Sequence, residues 1–160
     1  MQTFHTPSDN KHYITNAQDS IESIDLDELR SFYADDHFVR EALGAHIDSK
    51  SETRTICSFT VRQSHCNAQG AIMGGVLYTL GDFTASVADH SEGTVSATVD
   101  SSMQFLAPPK GAHIIATATT ERSGRTMAFY HISIDDEQGT HIATGSYTYI
   151  HRKRSATNHA

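Results

Sequence analysis

The chain has 160 residues, enough for one cored domain and too few for two. Hydrophobic residues make up 38% and charged residues 19%, with ten glycines and three prolines, a balance that excludes collagen-like, disulfide-scaffold and wholly disordered classes. A net charge of −7 has the wrong sign for a chain that binds nucleic acid over its whole surface, so an anionic ligand must be met by local cations.

Residues 1–18 are polar and aperiodic and read as a mobile tail without the basic start and apolar run of a signal peptide. A single domain is expected over 19–152, with a short tail over 153–160. From Asp19 to Asp36 seven acidic residues accompany one basic residue, and Ile21, Ile24, Leu26 and Leu29 recur as in a short amphipathic helix. Phe38, Val39, Ala42 and Leu43 predict a second helix within 37–46, with Gly44 as its stop. A β-branched, alternating run predicts a strand over 51–62, followed by a loop over 64–70. Residues 71–88 are apolar on nearly every face, the pattern of a buried helix.

Alternating segments at 94–106, 113–121, 126–135 and 141–152, separated by turns, predict an antiparallel meander. The expected fold is α+β, with one sheet wrapped around the long helix. Ala116, Ala118, Ala143, Gly145 and Ser146 supply the small side chains that let a sheet curl closely. The uncharged stretch from Gln63 to Gly81 is too polar and glycine-rich to span a membrane. Cys57 and Cys66 are nine apart without metal-type repetition, and no histidines pair at helical spacing, so free thiols, a reducing cytoplasm and no metal are expected.

Asp82 is the one formally charged residue between Arg62 and Asp89, inside a helix otherwise built for burial. It is either a carboxylate satisfied by local hydroxyls or a functional one. Upstream, Met73-Gly74-Gly75 opens the helix, where bare glycines let a ligand approach free N–H groups that favour negative charge. Asn67 stands in the preceding loop, able to orient a carbonyl or a water, or simply to cap a turn.

Together, Asn67, Gly70, Gly74-Gly75, Asp82 and Phe105-Leu106-Ala107-Pro108, with the turn Ser123-Gly124-Arg125, resemble the hotdog-fold acyl-CoA thioesterases of the PaaI-like group over residues 45–151. One departure is Met73, where the group has a histidine. The resemblance implies acyl-CoA hydrolysis without a cofactor by a homodimer, commonly doubled into a homotetramer. The active site would lie at the subunit boundary, Asp82 facing Asn67 and Gly74 of the other copy.

On this reading the Gly74 N–H stabilises the oxyanion, Asp82 is general base or nucleophile, Asn67 holds substrate or water, and Thr98 positions the water. Met73 and Gly75 would touch substrate. The phosphates of coenzyme A would be met by Arg125 first, with Lys110, Arg122 and the run Arg152-Lys153-Arg154 as further candidates. Leu77, Tyr78, Phe83 and Met103 would line the acyl pocket, whose preference for aryl, short or medium chains stays open.

Other chemistries fit less well. A Cys66–His65 nucleophile pair would sit on one loop, which seldom supplies the geometry. Five residues beyond Asp82 stands Val87, not the histidine of hotdog hydratases. The acidic segment before the domain is no DNA-reading helix-turn-helix. The alternative that survives is a non-catalytic acyl-CoA-binding module of the same fold.

Overall fold

A computed structural model describes residues 25–153 of the chain. Helix α1, Leu26–Phe32, is capped by Asp25, whose Oδ1 accepts the N–H groups of Asp27 and Glu28 at 2.9 and 3.3 Å. It is shorter than the amphipathic pattern predicts, and the part of that pattern at 19–24 lies outside the described residues, as do most of the two predicted tails. A single 3₁₀ turn, Tyr33–Asp35, leads to a helical segment at Phe38–Leu43 with π-type bonding, the Gly44 N–H reaching Val39 O at 2.8 Å. Gly44 ends it at φ 71°, as expected of a left-handed stop.

Six strands form one antiparallel sheet: β1 His46–Lys50, β2 Arg54–Thr60, β3 Thr94–Phe105, β4 His113–Ser123, β5 Met127–Asp136 and β6 His141–Lys153, in the order β1-β2-β4-β5-β6-β3. Two expectations are corrected here. Strand β1 was hidden because Ile47 is its one fully buried residue, the others being polar, and a bulge between Ile47 and Ser49 breaks its alternation. Residues 51–53 turn the chain from β1 into β2. The four C-terminal strands are also not a simple meander. Strands β4, β5 and β6 follow one another, but β3 crosses to the far edge and pairs with β6.

Helix α2, Gly74–Asp89, packs along the concave face of this sheet. Its Leu77, Leu80, Phe83 and Val87 meet Cys57 and Phe59 of β2, Ile114 of β4, Ile132 of β5 and Tyr147 of β6, all buried. Full burial of such a side chain contributes about 1.5–3 kcal/mol, and these contacts fix the helix to the sheet. Ala116, Ala118, Ala143 and Gly145 face inward under α2, whereas Ser146 lies on the outer face, one residue out of phase with them.

Three tyrosine hydroxyls hold the backbone of α2 at one per turn. Tyr147 donates to Tyr78 O at 3.0 Å, Tyr149 to Asp82 O at 3.1 Å, and Tyr33 to Ser86 O at 2.9 Å. Among the described residues no helix is long and apolar enough to cross a membrane.

Candidate active site

Asp82 lies midway along α2, between the buried residues Gly81 and Phe83, yet its own side chain reaches partly open space. At Gly81 side chains of β3 and β6 close on the helix: a Cβ there would stand 2.7 Å from Met103 Cε and 2.9 Å from the Tyr147 hydroxyl. This close approach brings the Asp82 carboxylate against both strands. Thr98 Oγ1 of β3 donates to Asp82 Oδ1 at 3.1 Å, and the Tyr149 hydroxyl of β6 reaches the same oxygen at 3.3 Å. Thr98 and Tyr149 are cross-strand partners, and β3 bulges between Thr98 and Asp100, which turns Thr98 towards the helix.

Burial, then the negative charge of Asp82, pushes the Tyr149 hydroxyl well above the usual tyrosine range, so it remains a donor. Thr98 donates to Oδ1, Tyr149 shares its one O–H between the Asp82 carbonyl at 3.1 Å and Oδ1, and neither hydroxyl reaches Oδ2. Sequence reasoning placed Thr98 here but missed Tyr149, which reads as one more inward-facing aromatic of a strand. Its alternation with Tyr147 was the available signal.

Gly74 sits at the other end. Met73, the residue before the helix, offers no side-chain cap, so the first-turn N–H groups of α2 have no such partner. A Cβ on Gly74 would meet the Phe105 ring at 3.1 Å, so the absence of a side chain is what lets this strand-end aromatic cover the helix start. Beside it an apolar groove of about 380 Å³ is lined by Ile72, Gly74, Leu77, Phe105, Leu106 and Pro108. Met73, between Ile72 and Gly74 in the chain, is 53% exposed. At Gly75 a Cβ would make only an ordinary contact, 3.7 Å from Met73 Cε.

Asn67 lies close by, in a tight turn closed by Gly70 at φ 77°. Its Oδ1 accepts the N–H groups of Gln69 and Ala71 at 2.9 and 3.2 Å, so the side-chain acceptor is spent on the loop and Nδ2 is what remains for a ligand. Asn67 and Gly74 therefore share one end of α2. Eight residues separate Gly74 from Asp82, about 12 Å along the helix. A single chain thus brings together Asp82, Thr98 and Tyr149, and separately Asn67, Met73 and Gly74.

The candidate phosphate contacts are likewise divided. Lys110 is exposed before β4, its backbone N–H held by Asp136 Oδ2 at 2.7 Å, and Arg125 is exposed after β4, in the turn to β5. The eleven residues of β4 separate them, about 35 Å. Of the expected pocket lining, Phe83 points into the core and Tyr78 bonds Ser101 through its hydroxyl. Met103 packs over Gly81, and Leu77 alone reaches the groove beside Gly74.

His65 is buried with Nδ1 accepting Arg62 N–H at 3.1 Å and Nε2 against Ala42 O at 3.0 Å, so its ring is committed to structure and cannot activate Cys66. Among the described residues no three histidine, cysteine or acidic side chains cluster as metal ligands do.

Residues 69–143 match the model of the thioesterase superfamily. The chain is 30% identical over 117 residues to a putative esterase of Deinococcus radiodurans, covering 72% of this chain and 80% of that one. The chain belongs to the thioesterase superfamily. It is also 31% identical over 104 residues to human acyl-coenzyme A thioesterase 13, covering 62% of this chain and 74% of that protein.

The PaaI protein of the Escherichia coli phenylacetic acid degradation operon superposes with a TM-score of 0.71 at 25% identity, over 80% of this chain and 91% of that one. The wrapped sheet and central helix are thus the hotdog fold of PaaI-like thioesterases, and this thioesterase's family chemistry is thioester hydrolysis. The matched segment contains Gly74, Asp82 and Thr98 together.

Proposed function

We propose that this thioesterase hydrolyses an acyl-coenzyme A, with Asp82 as the group that activates water or attacks the carbonyl itself. The observation that carries the reading is the Asp82 carboxylate: a charge on the open face of a buried helix, with two hydroxyls on Oδ1 and neither on Oδ2. In the water route, Oδ2 takes a proton as the water oxygen bonds to the thioester carbon. The carbonyl oxygen becomes an oxyanion facing the Gly74 N–H at the positive end of α2. When the C–S bond breaks, the thiolate of coenzyme A leaves and takes the proton back from Asp82, releasing the free acid.

The 12 Å between Gly74 and Asp82 on one helix exceeds the reach of one carbonyl group, so the reading requires a second copy. Strand β3 supports this. It is an edge strand with Val95 and Val99 each about half exposed, suited to pair with another β3 and bring Asp82 of one copy to Gly74 and Asn67 of the other. Arg125 is the first candidate for the phosphates of coenzyme A and Lys110 the second.

Thiol release from phenylacetyl-, benzoyl-, short- and medium-chain acyl-CoAs tests the reading, with Asp82→Asn beside the wild type. The amide is isosteric and still accepts at Oδ1, so the fold should be kept while turnover falls about 10²–10⁴-fold. Unchanged turnover refutes the role of Asp82. Stoichiometric acyl-CoA binding without thiol release makes the protein a binding module instead.

A further inference from the structure

At the opposite end of α2 from Gly74 lies a buried polar cluster that the proposed hydrolysis does not use. Asp89, the last residue of α2, is 5% exposed, and its Oδ1 accepts both the Tyr130 hydroxyl and His151 Nε2 at 2.7 Å. Among the described residues its Oδ2 has no hydrogen-bond partner. An acid at the negative end of a helix needs positive charge nearby. Lys50 of β1 supplies some, its Nζ donating to the carbonyls of Val87, Ala88 and His90 at 2.6, 3.1 and 2.6 Å. His151 is the other neighbour of the Asp89 carboxylate. Its Nδ1 faces Gly124 O at 2.9 Å, a group that only accepts. Burial and then the Asp89 contact keep the Tyr130 hydroxyl protonated, so Asp89 Oδ1 is acting as an acceptor too. With acceptors at both ring nitrogens, the ring satisfies both only when each nitrogen carries a proton.

The backbone of the same residue completes the pattern. The His151 N–H donates to Thr126 O at 2.8 Å, while the ring holds Gly124 O. His151 therefore grips both shoulders of the β4–β5 turn, and the residue between the shoulders is Arg125.

We propose that His151 is a positioning residue for Arg125: in its charged form it clamps the turn that presents the guanidinium to the substrate's phosphates. This inference rests on the reading of Arg125 as a coenzyme A contact. Facing the ring are Asp89 from α2, Tyr130 from β5 and the Gly124-Arg125 turn, with Lys50 from β1, His90 just past α2 and Tyr33 acting through Asp89. Its cross-strand partner on β3, Ser96, carries no charge. A neutral imidazole has one N–H, so deprotonation leaves either Asp89 or Gly124 without its donor.

Calorimetric titration with coenzyme A itself, from about pH 6 to about pH 9, reads this out. Wild-type affinity should fall about tenfold across the range. The second ionisation of a phosphate monoester, near pH 6, pulls the other way, and Lys50, held down to about 8, titrates in the same window in every variant, so the difference between the wild-type and His151→Gln profiles is what is diagnostic. His151→Gln keeps an N–H donor without a titratable charge and should lose the fall, leaving the rise that phosphate ionisation gives. His151→Ala should bind about tenfold more weakly at low pH, and should add no further loss in an Arg125→Ala background.

A residue that merely supports the fold would give additive losses. Should His151→Ala fail to fold, His151→Gln alone decides, and a profile like that of the wild type overturns the inference. So does wild-type affinity in His151→Ala while Arg125→Ala is weak, which leaves the role of Arg125 standing. If the wild type binds no coenzyme A, or Arg125→Ala binds as well as the wild type, the underlying reading fails and this inference with it.

Discussion

Gly145 offers a severe test of how β3 is held. It lies on β6 between Met103 of β3 and Ile132 of β5, facing α2, and a Cβ built on it would stand 2.5 Å from the backbone oxygen of Ser102 and 3.4 Å from Met103 Cα. Carbon–oxygen contacts between strands settle at about 3.3–3.6 Å, so Gly145→Ala demands a shift of about 1 Å from a backbone that both neighbours hold. Overpacking costs about 1–3 kcal/mol, and a backbone obstacle puts this case near the top of that range. The stiffer unfolded chain of the alanine variant returns about 0.5–1 kcal/mol. The net loss is about 2 kcal/mol, or about 4–8 °C in Tm for a chain of this size.

Urea denaturation should show a lower midpoint with an unchanged slope. Because β3 also carries Thr98, turnover should drop at temperatures where the variant is still folded. Ser146→Ala, one residue on and outward-facing, is the control and should stay within about 0.5 kcal/mol of wild type. A Gly145→Ala variant as stable as the control refutes the claim that this contact sets the β3–β6 spacing.

Three further outcomes are expected. Tyr149→Phe removes a donor from Asp82 and should lower kcat/KM about tenfold while costing about 1–2 kcal/mol of stability; an unchanged rate would make Tyr149 purely structural. Asp136 is held well below the usual carboxylate range because, against the opposing effect of its burial, the N–H groups of Gly111, Thr140 and Lys110 bind its oxygens. Its contribution is therefore present above its ordinary value of 3.8 and lost as pH falls below it, and Asp136→Asn should flatten the acid limb of a stability profile measured from about pH 5 to about pH 2.

Burial pushes Lys50 down to about 8 from 10.5, partly offset by Asp89. Charging it costs the folded state more than the unfolded one, so its contribution grows as pH rises from about 8 to 10.5 and is lost as pH falls through 8. After allowance for its partial exposure, the difference in urea stability between wild type and Lys50→Met should change by about 1–2 kcal/mol over that interval, and parallel curves would refute the shift.

Much of this molecule is legible in its residue pattern. The all-round apolarity of 71–88 and the alternation in the later strands find α2 and β2 to β6, and Asp82 stands out because a charge is conspicuous among apolar neighbours. Strand β1 was not legible, since five mostly polar residues carry no period. The place of β3 was not legible either, because alternation says which face a residue takes and nothing about which strand lies beside it. Tyr149 escaped for a related reason: a tyrosine facing inward looks like packing until the carboxylate beneath it is known. The Asp89–His151–Gly124 chain joins three residues far apart in sequence, and only folding makes them neighbours.

The tyrosines along α2 also bear on how this protein can move. Their acceptors, the carbonyls of Tyr78, Asp82 and Ser86, recur every four residues, about 6 Å along the axis. A small piston-like slide of the helix would break all three bonds at once and offer no new acceptors until it had travelled a full step. The helix is thus indexed like a ratchet, with Lys50 as an end stop on its last turn. Mechanical adjustment to a substrate is left to the parts around it, the β3 edge and the loop at Asn67, and amide protons in the middle of α2 should exchange with solvent only when the whole domain opens.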